Sequence, residues 1–459
     1  MELLRQLLPY LLLVFLLIRG IKKPIYFLGI PFLIFMNESI FFQNVNIFDI
    51  PGSLGTARIF LWAVIFWLMP ILVRLYTNEF RREVRINLNG LDYCIISLIV
   101  LSIVGLMTVA TRYPSLEKVL VEFLTLVSLF AGYFIIKDWS SRYDSTTIKE
   151  FLFVLVVINS IASVLYILHQ GLGLEIYQYE ESSADFVQGE EITRTFWFMP
   201  QFLFLAVAYL LVFKKEKPLL SIILLIINIL AIFITYTRSA LINAILIFLL
   251  YSVFVGIKKK RVGIVIRDAI LYMVGGLVGL VILSQVMPAN SEYLMGRFRE
   301  LGESSSSPLQ MNTLEYRFMM TGMVFDNIDT ENLFYGMGPV TEDQESLVPT
   351  MKHVTSDMVW AGVTYRWGFI GFLVFIILYG LAVSKAYIIF IRYDNTVTAN
   401  LGLLLLLYVI SQIIESFVSW TFMSGHGYVT GLWYFALISS ITSKSTKNLK
   451  PIFKGVRND

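Results

Sequence analysis

The sequence predicts an all-α polytopic membrane protein with about 12–13 transmembrane helices and one large extracytoplasmic loop that contains helical segments. Composition gives the first reason. Of 459 residues, 57% are hydrophobic and 15% charged, with a mean hydropathy of +0.73, more apolar surface than a soluble domain of this size hides. The second reason is the recurrence of apolar runs near the ~20 residues that cross a ~30 Å hydrocarbon layer, where the backbone must satisfy itself. The third is the alternation of positive clusters with loops that lack them.

Taken in order, the runs fall at about 4–18, 24–36, 57–76, 91–111, 117–136, 150–168, 196–213, 218–236, 239–256, 269–287, 367–390, 399–420 and 429–441. The first resembles a signal-peptide core. No small-residue cleavage site follows it and Arg19, Lys22 and Lys23 flank its far end, so it reads as a retained span. The single cysteine, Cys94, lies inside an apolar run, which excludes a disulfide framework and assigns it to packing. Gly275 and Gly279 form a GxxxG pair, read as a point of close helix packing.

Positive clusters occur at Arg19/Lys22/Lys23, Arg81/Arg82/Arg85, Lys137/Arg142/Lys149, Lys214/Lys215/Lys217, Lys258 to Arg261 with Arg267, Lys385/Arg392, and in the lysine-rich tail. Placed in the cytoplasm, they put most of the 36 Lys and Arg on one side, and the assignment holds through every span from residue 57 onward. The expected organisation is a transmembrane bundle at 1–287 with an outer loop at about 170–195, and a large extracytoplasmic loop at 288–357. C-terminal transmembrane helices follow at 358–443 and a cytoplasmic basic tail at 444–459. No internal repeat, nucleotide-binding glycine loop or nucleic-acid motif is present.

Chemistry-bearing residues gather on the outer side of this topology. The runs 218–236 and 239–256 are separated by so little that Thr237, Arg238 and Ser239 form the tip of a tight helical hairpin. Arg238 there either snorkels to the headgroups or binds an anion, since a guanidinium fork matches phosphate oxygens. The 170–195 loop holds Glu175, Glu180, Glu181, Asp185, Glu190 and Glu191 against one base, Arg194. In the larger loop, a helix-like segment near 312–326 carries Arg317, with Glu315 and Asp326 as alternative salt-bridge partners. His169, His353 and His426 lie in three different loops without metal-ligand spacing. Asp357 follows His353 at i+4, where a helical turn places both on one face, and a carboxylate there orients an imidazole and raises its basicity. The alternative is a polar interfacial pair.

Four short motifs in order resemble the O-antigen ligase and Wzy-type polysaccharide polymerase superfamily. Thr193-Arg-Thr-Phe196 with Pro200 is similar to the arginine-containing approach to a membrane helix, with Trp197 and Phe198 in place of a glycine-rich stretch. Ile234-Thr-Tyr-Thr-Arg-Ser-Ala240 resembles the hairpin tip, with Thr237 where serine is common. Arg317 followed by Phe334-Tyr-Gly-Met-Gly338 resembles the large-loop motif, without its intervening tryptophan. His353, with Trp367-Gly-Phe-Ile-Gly371, resembles the close of that loop, with Val354 where asparagine is often found.

The resemblance implies an extracytoplasmic glycosyltransferase of the bacterial cytoplasmic membrane. It would polymerise undecaprenyl-pyrophosphate-linked repeat units into O-antigen, capsule or exopolysaccharide, inverting the anomeric centre without metal or cofactor. By the same resemblance Arg238, Arg317 and Arg194 would bind the pyrophosphate as charge develops on it, and His353 would act as general base. Asp357, Thr237 and Ser239 would support them. Partners would be the lipid-linked glycan, a saccharide acceptor, the bilayer, a chain-length regulator and a flippase, with no nucleic acid. A ligase that transfers a finished glycan to lipid A core shares the motifs; the acidic outer loop and the extra spans favour the polymerase. From another class, a flippase or secondary transporter would carry internal symmetry and midplane charges. Here Glu122 and Glu415 are the main charges within the spans.

Overall fold

The computed structural model describes residues 2–37, 88–112, 132–174, 182–187, 190–195, 200–235, 237–286, 288–299, 332–338, 359–393, 395–417 and 425–445. It also describes the single positions Phe130, Met319, Gly322, Phe325, Asp326 and Ile328. Within them the chain forms α1 (Glu2–Lys22), α2 (Gly29–Asn37), α3 (Gly90–Arg112), α4 (132–142) and α5 (Ser145–Tyr166). A hairpin of β1 (Ser182–Val187) and β2 (Glu190–Thr195) leads to α6 (Pro200–Phe213), α7 (Pro218–Ile234), α8 (Arg238–Lys259), α9 (Val262–Val286) and α10 (Pro288–Arg299). The last helices are α11 (Val359–Arg392), α12 (Thr396–Glu415) and α13 (Gly425–Ser445).

Local chemistry sets the boundaries. Asp144 caps α5 by accepting from the Thr147 N–H (3.0 Å), and Asn395 caps α12 by accepting from Val397 (2.9 Å). Pro218 opens α7, where a missing N–H costs nothing. Lys260, in the left-handed region at φ 51°, ends α8.

The protein is an all-α polytopic membrane protein. Among the described residues five helices are long and apolar enough to cross a bilayer: Gly90–Thr108, Ser145–Gly171, Arg238–Lys259, Val359–Arg392 and Thr396–Glu415. Shorter apolar helices include Pro218–Ile234 and Phe202–Phe213. The runs at 57–76 and 117–129 lie outside the described residues. Cys94 is buried, as expected.

Two expectations meet the structure differently. The acidic loop is not merely a loop: β1 and β2 pair antiparallel, Ser183 opposite Arg194, and α10 and the turn Ile167–Gly171 rest against the hairpin. The GxxxG pair, for its part, packs against none of the described residues. A side chain at Gly275 or Gly279 would meet nothing within 4 Å.

Among the described residues, members of the positive clusters gather at one end of the bundle. Lys23 pairs with Glu150 (3.0 Å), Lys149 with Glu216 (2.8 Å), and Lys258 donates to the Phe390 carbonyl (2.7 Å). These contacts tie together the end of α1, the start of α5, the α6–α7 turn and the ends of α8 and α11. Nearby, buried Asp92 of α3 accepts from Tyr133 (2.7 Å) and Ser439 (3.1 Å) and pairs with Lys137, joining α3, α4 and α13. Deeper in the bundle, Asn228 of α7 bonds Asn159 and Ser160 of α5 (both 2.8 Å), a satisfied polar contact of the kind that holds membrane helices together.

The positive-inside expectation puts this basic end in the cytoplasm. Cysteines placed singly at Ser182 and Ser305 are then expected to react with an impermeant thiol reagent in intact spheroplasts, and one at Lys259 to be protected. The opposite labelling pattern would invert the orientation.

Candidate active site

At the end opposite the basic clusters, α7 stops at Ile234 and α8 begins at Arg238, so the turn is as tight as the sequence predicts. Thr235 closes α7, its hydroxyl donating to the Ile232 carbonyl (2.7 Å). Thr237 is then consumed by the turn: its hydroxyl donates to the Thr235 carbonyl (3.1 Å) and its N–H to the Thr235 hydroxyl (3.3 Å). It makes no side-chain cap, and no acid stands in the first turn of α8. Half-buried Arg238 therefore heads a helix whose dipole opposes a cation there. Guanidinium and dipole both favour an incoming anion.

Beneath Arg238, Ser239 and Asn243 lie one turn apart on α8 and meet Glu415 of α12. The Ser239 hydroxyl lies 3.4 Å from Glu415 Oε1, and the Asn243 amide donates to Oε2 (3.2 Å) and to the Ser411 carbonyl (3.1 Å). Glu415 is 1% exposed. A carboxylate withdrawn that far from water persists only where partners hold it. Asn243 Oδ1, Ser411 Oγ and Gln412 Nε2 are buried without a hydrogen-bond partner, so this patch has unfilled polar capacity.

The second half of the site is built on a broken helix. Gly368, at φ 65° and ψ −167°, interrupts α11 and divides it into an arm, 359–367, and a stem, 369–392. The Trp360 ring lies 5.2 Å from that of Phe375. Fifteen residues of straight helix would separate them by roughly 22 Å, so the arm folds back along the stem.

A break of this kind leaves carbonyls at the end of the arm and N–H groups at the start of the stem without helical partners. The segment Asn332–Gly338 supplies them. Met337 and Gly338 donate to the carbonyls of Tyr365 (2.7 Å) and Arg366 (3.1 Å), while Phe369 and Ile370 donate to those of Leu333 (2.9 Å) and Phe334 (3.2 Å). Gly336 and Gly338 take φ of 82° and 85°. A Cβ on Gly336 would collide with the Arg366 carbonyl, and one on Gly368 with the backbone of Phe334. The two glycine motifs of the sequence are thus the two sides of one backbone clasp. It seats on α3, where Trp367 Nε1 donates to Ser102 Oγ (2.9 Å) and Gly105 leaves room for Gly338.

The arm links the halves. Trp360, at its start, packs 5.4 Å from the ring of Phe417, two residues beyond Glu415. Asp357 and His353 lie outside the described residues, two and six positions before Val359.

Of the other predicted site residues, Arg194 is placed by its backbone on β2, and its side chain lies outside the described residues, as does Arg317 entirely. The helix-like segment near 312–326 is helical at Met319, Gly322, Phe325 and Asp326. His169 Nδ1 lies 2.9 Å from the Leu174 carbonyl of its own loop. Among the described residues no three His, Cys, Asp or Glu gather as metal ligands. The structure brings Thr237, Arg238 and Ser239 together and adds Asn243, Ser411 and Glu415, which sequence reasoning did not connect. Their signal was the i, i+4 spacing of 239 with 243 and of 411 with 415 on apolar helices.

Residues 221–376 match the family model described as O-antigen ligase. Over this segment the chain is similar to that family, which supports the O-antigen ligase and Wzy-type reading of its motifs. The matched segment contains the hairpin tip, Asn332–Gly338 and the break at Gly368, whereas Arg194 and Glu415 fall outside it. No curated protein and no solved structure matches the chain. This similarity supports glycosyl transfer of the ligase or polymerase type by a multi-pass membrane protein.

Proposed function

We propose that the protein is an extracytoplasmic polymerase that joins undecaprenyl-pyrophosphate-linked repeat units. The observation that carries this reading is Arg238, set at the head of α8 without an acid in its first turn, at the end away from the basic clusters and inside the matched domain. The bond to pyrophosphate is already activated, so the demands on the site are few: an electrophilic clamp for the leaving group, a base for the attacking hydroxyl, and a lateral path for the lipid. Arg238 supplies the clamp, with Arg317 and Arg194 as its partners. His353, oriented by Asp357, takes the proton of the acceptor hydroxyl. Attack from the face opposite the pyrophosphate inverts the anomeric centre and requires no metal.

A ligase reading draws on the matched model's own description, and the products separate the two. Purified protein given only lipid-linked repeat units is expected to yield a ladder of lengthening lipid-linked glycans. A single transfer that requires an added acceptor would make it a ligase. In the same assay His353→Ala is expected to lower turnover about 10²-fold with donor binding retained. Wild-type rate falls as pH drops through the imidazole range, because the protonated ring accepts no proton. A His353→Ala variant with undiminished turnover would remove the base from the mechanism.

A further inference from the structure

Arg366 enters the site described above only through its backbone carbonyl, which accepts from Gly338. Its neighbours Tyr365 and Trp367 are buried. The guanidinium itself is half-buried, and its Nε is shielded from solvent and meets no acceptor. Lys23, Lys137, Arg142, Lys149 and Arg267 each pair with a carboxylate, but among the described residues none lies within ion-pair distance of Arg366. An arginine cannot escape the cost by shedding its proton. Drawing it from water with a donor unfilled is unfavourable unless an anion completes it. Among the described residues the fold gains nothing in exchange, since the clasp uses backbone atoms that any residue at 366 would supply.

Position gives the missing partner its chemistry. Arg366 stands six residues along the arm from Trp360, roughly 9 Å by helical rise. Trp360 packs on Phe417 beside Glu415, the carboxylate under the Arg238 turn. The arm therefore carries Arg366 at one end and reaches the Arg238 patch at the other. We propose that Arg366 is a second anion-binding arginine of this site, which holds an oxyanion of the lipid-linked donor, either a carrier phosphate or an acidic group on its glycan. The proposal rests on the donor reading above. Its fork engages the oxyanion through two parallel N–H bonds, which lysine reproduces only as a point charge.

The test uses the full chain in lipid nanodiscs with three probes: glycan-free undecaprenyl pyrophosphate, a donor with a neutral glycan and a donor with an acidic one. Arg366→Gln is expected to weaken binding by at least about ten-fold, the loss of one charge-assisted contact, with KM rising more than kcat falls, and Arg366→Lys is expected to recover part. Weakening for all three probes supports a carrier phosphate. Weakening for the acidic donor alone supports the glycan oxyanion. Should Arg366→Gln fail to fold, Arg366→Lys decides, with a several-fold rise in KM expected. Variants that bind every probe and turn over both donors like an active wild type would overturn the proposal. A wild type that neither binds nor transfers any of these lipids would sink the donor reading itself, and this inference with it.

Discussion

Arg238→Ala is expected to lower glycan transfer by about 10²–10³-fold, the cost of losing one preorganised electrostatic donor at a site of developing charge. The protein is expected to reach the membrane in normal amount, because α8 is held by Ala240, Leu241, Ala244 and Ile247 rather than by its first side chain. The helix dipole survives the substitution, so part of the anion attraction remains and activity falls without the donor being fully repelled. Arg238→Lys keeps the charge and loses the fork, and is expected to fall between alanine and wild type. Turnover measured on purified protein, alongside immunoblots of membranes, separates catalysis from folding. Full activity in the alanine variant would exclude Arg238 and leave the tip as a structural turn.

Gly336→Ala is expected to be the more disruptive change, acting on the fold rather than on charge. The left-handed backbone at φ 82° costs an L-residue roughly 1–2 kcal/mol. The larger effect is the collision of the new methyl with the Arg366 carbonyl, which forces Asn332–Gly338 away from the break. Two arm carbonyls and two stem N–H groups then lose their partners inside the bundle. A loss of about 4 kcal/mol places this among the severe single substitutions, against a typical total stability of about 5–15 kcal/mol. The expected outcome is low membrane abundance and a depressed melting temperature for whatever protein is recovered. Gly263→Ala, on α9 where a Cβ meets nothing within 4 Å, is the control and is expected to melt with the wild type. Equal melting of Gly336→Ala would mean the clasp contributes no stability.

What the sequence revealed depended on how local the determining physics was. The tip at Thr237–Ser239 was legible because two apolar runs nearly touch, leaving the chain no choice but a tight turn. The place of Arg238 at the head of α8 followed from the same spacing. Glu415 was visible as a charge within a span, but its partners Ser239 and Asn243 lie more than 170 positions away, and only packing of α8 on α12 joins them. The clasp was hidden for a different reason. Its glycines stood out as motifs, yet their use depends on positive φ values and on backbone bonds between segments some thirty residues apart, which no side-chain pattern encodes. The β-hairpin was missed although Gln188-Gly189 stands where a two-residue hairpin turn belongs; the density of acids in that loop drew the reading toward charge instead of strand pairing. Gly275 and Gly279 form a packing motif whose space no described residue enters.

The clasp has a bearing on how such a protein can diversify. Because Asn332–Gly338 is pinned to the broken helix by four main-chain bonds, the chain between α10 and α11 has a fixed point of attachment part-way along it. Length and composition on either side of the pin are free to vary without moving the arm, since closing a longer loop adds little entropy.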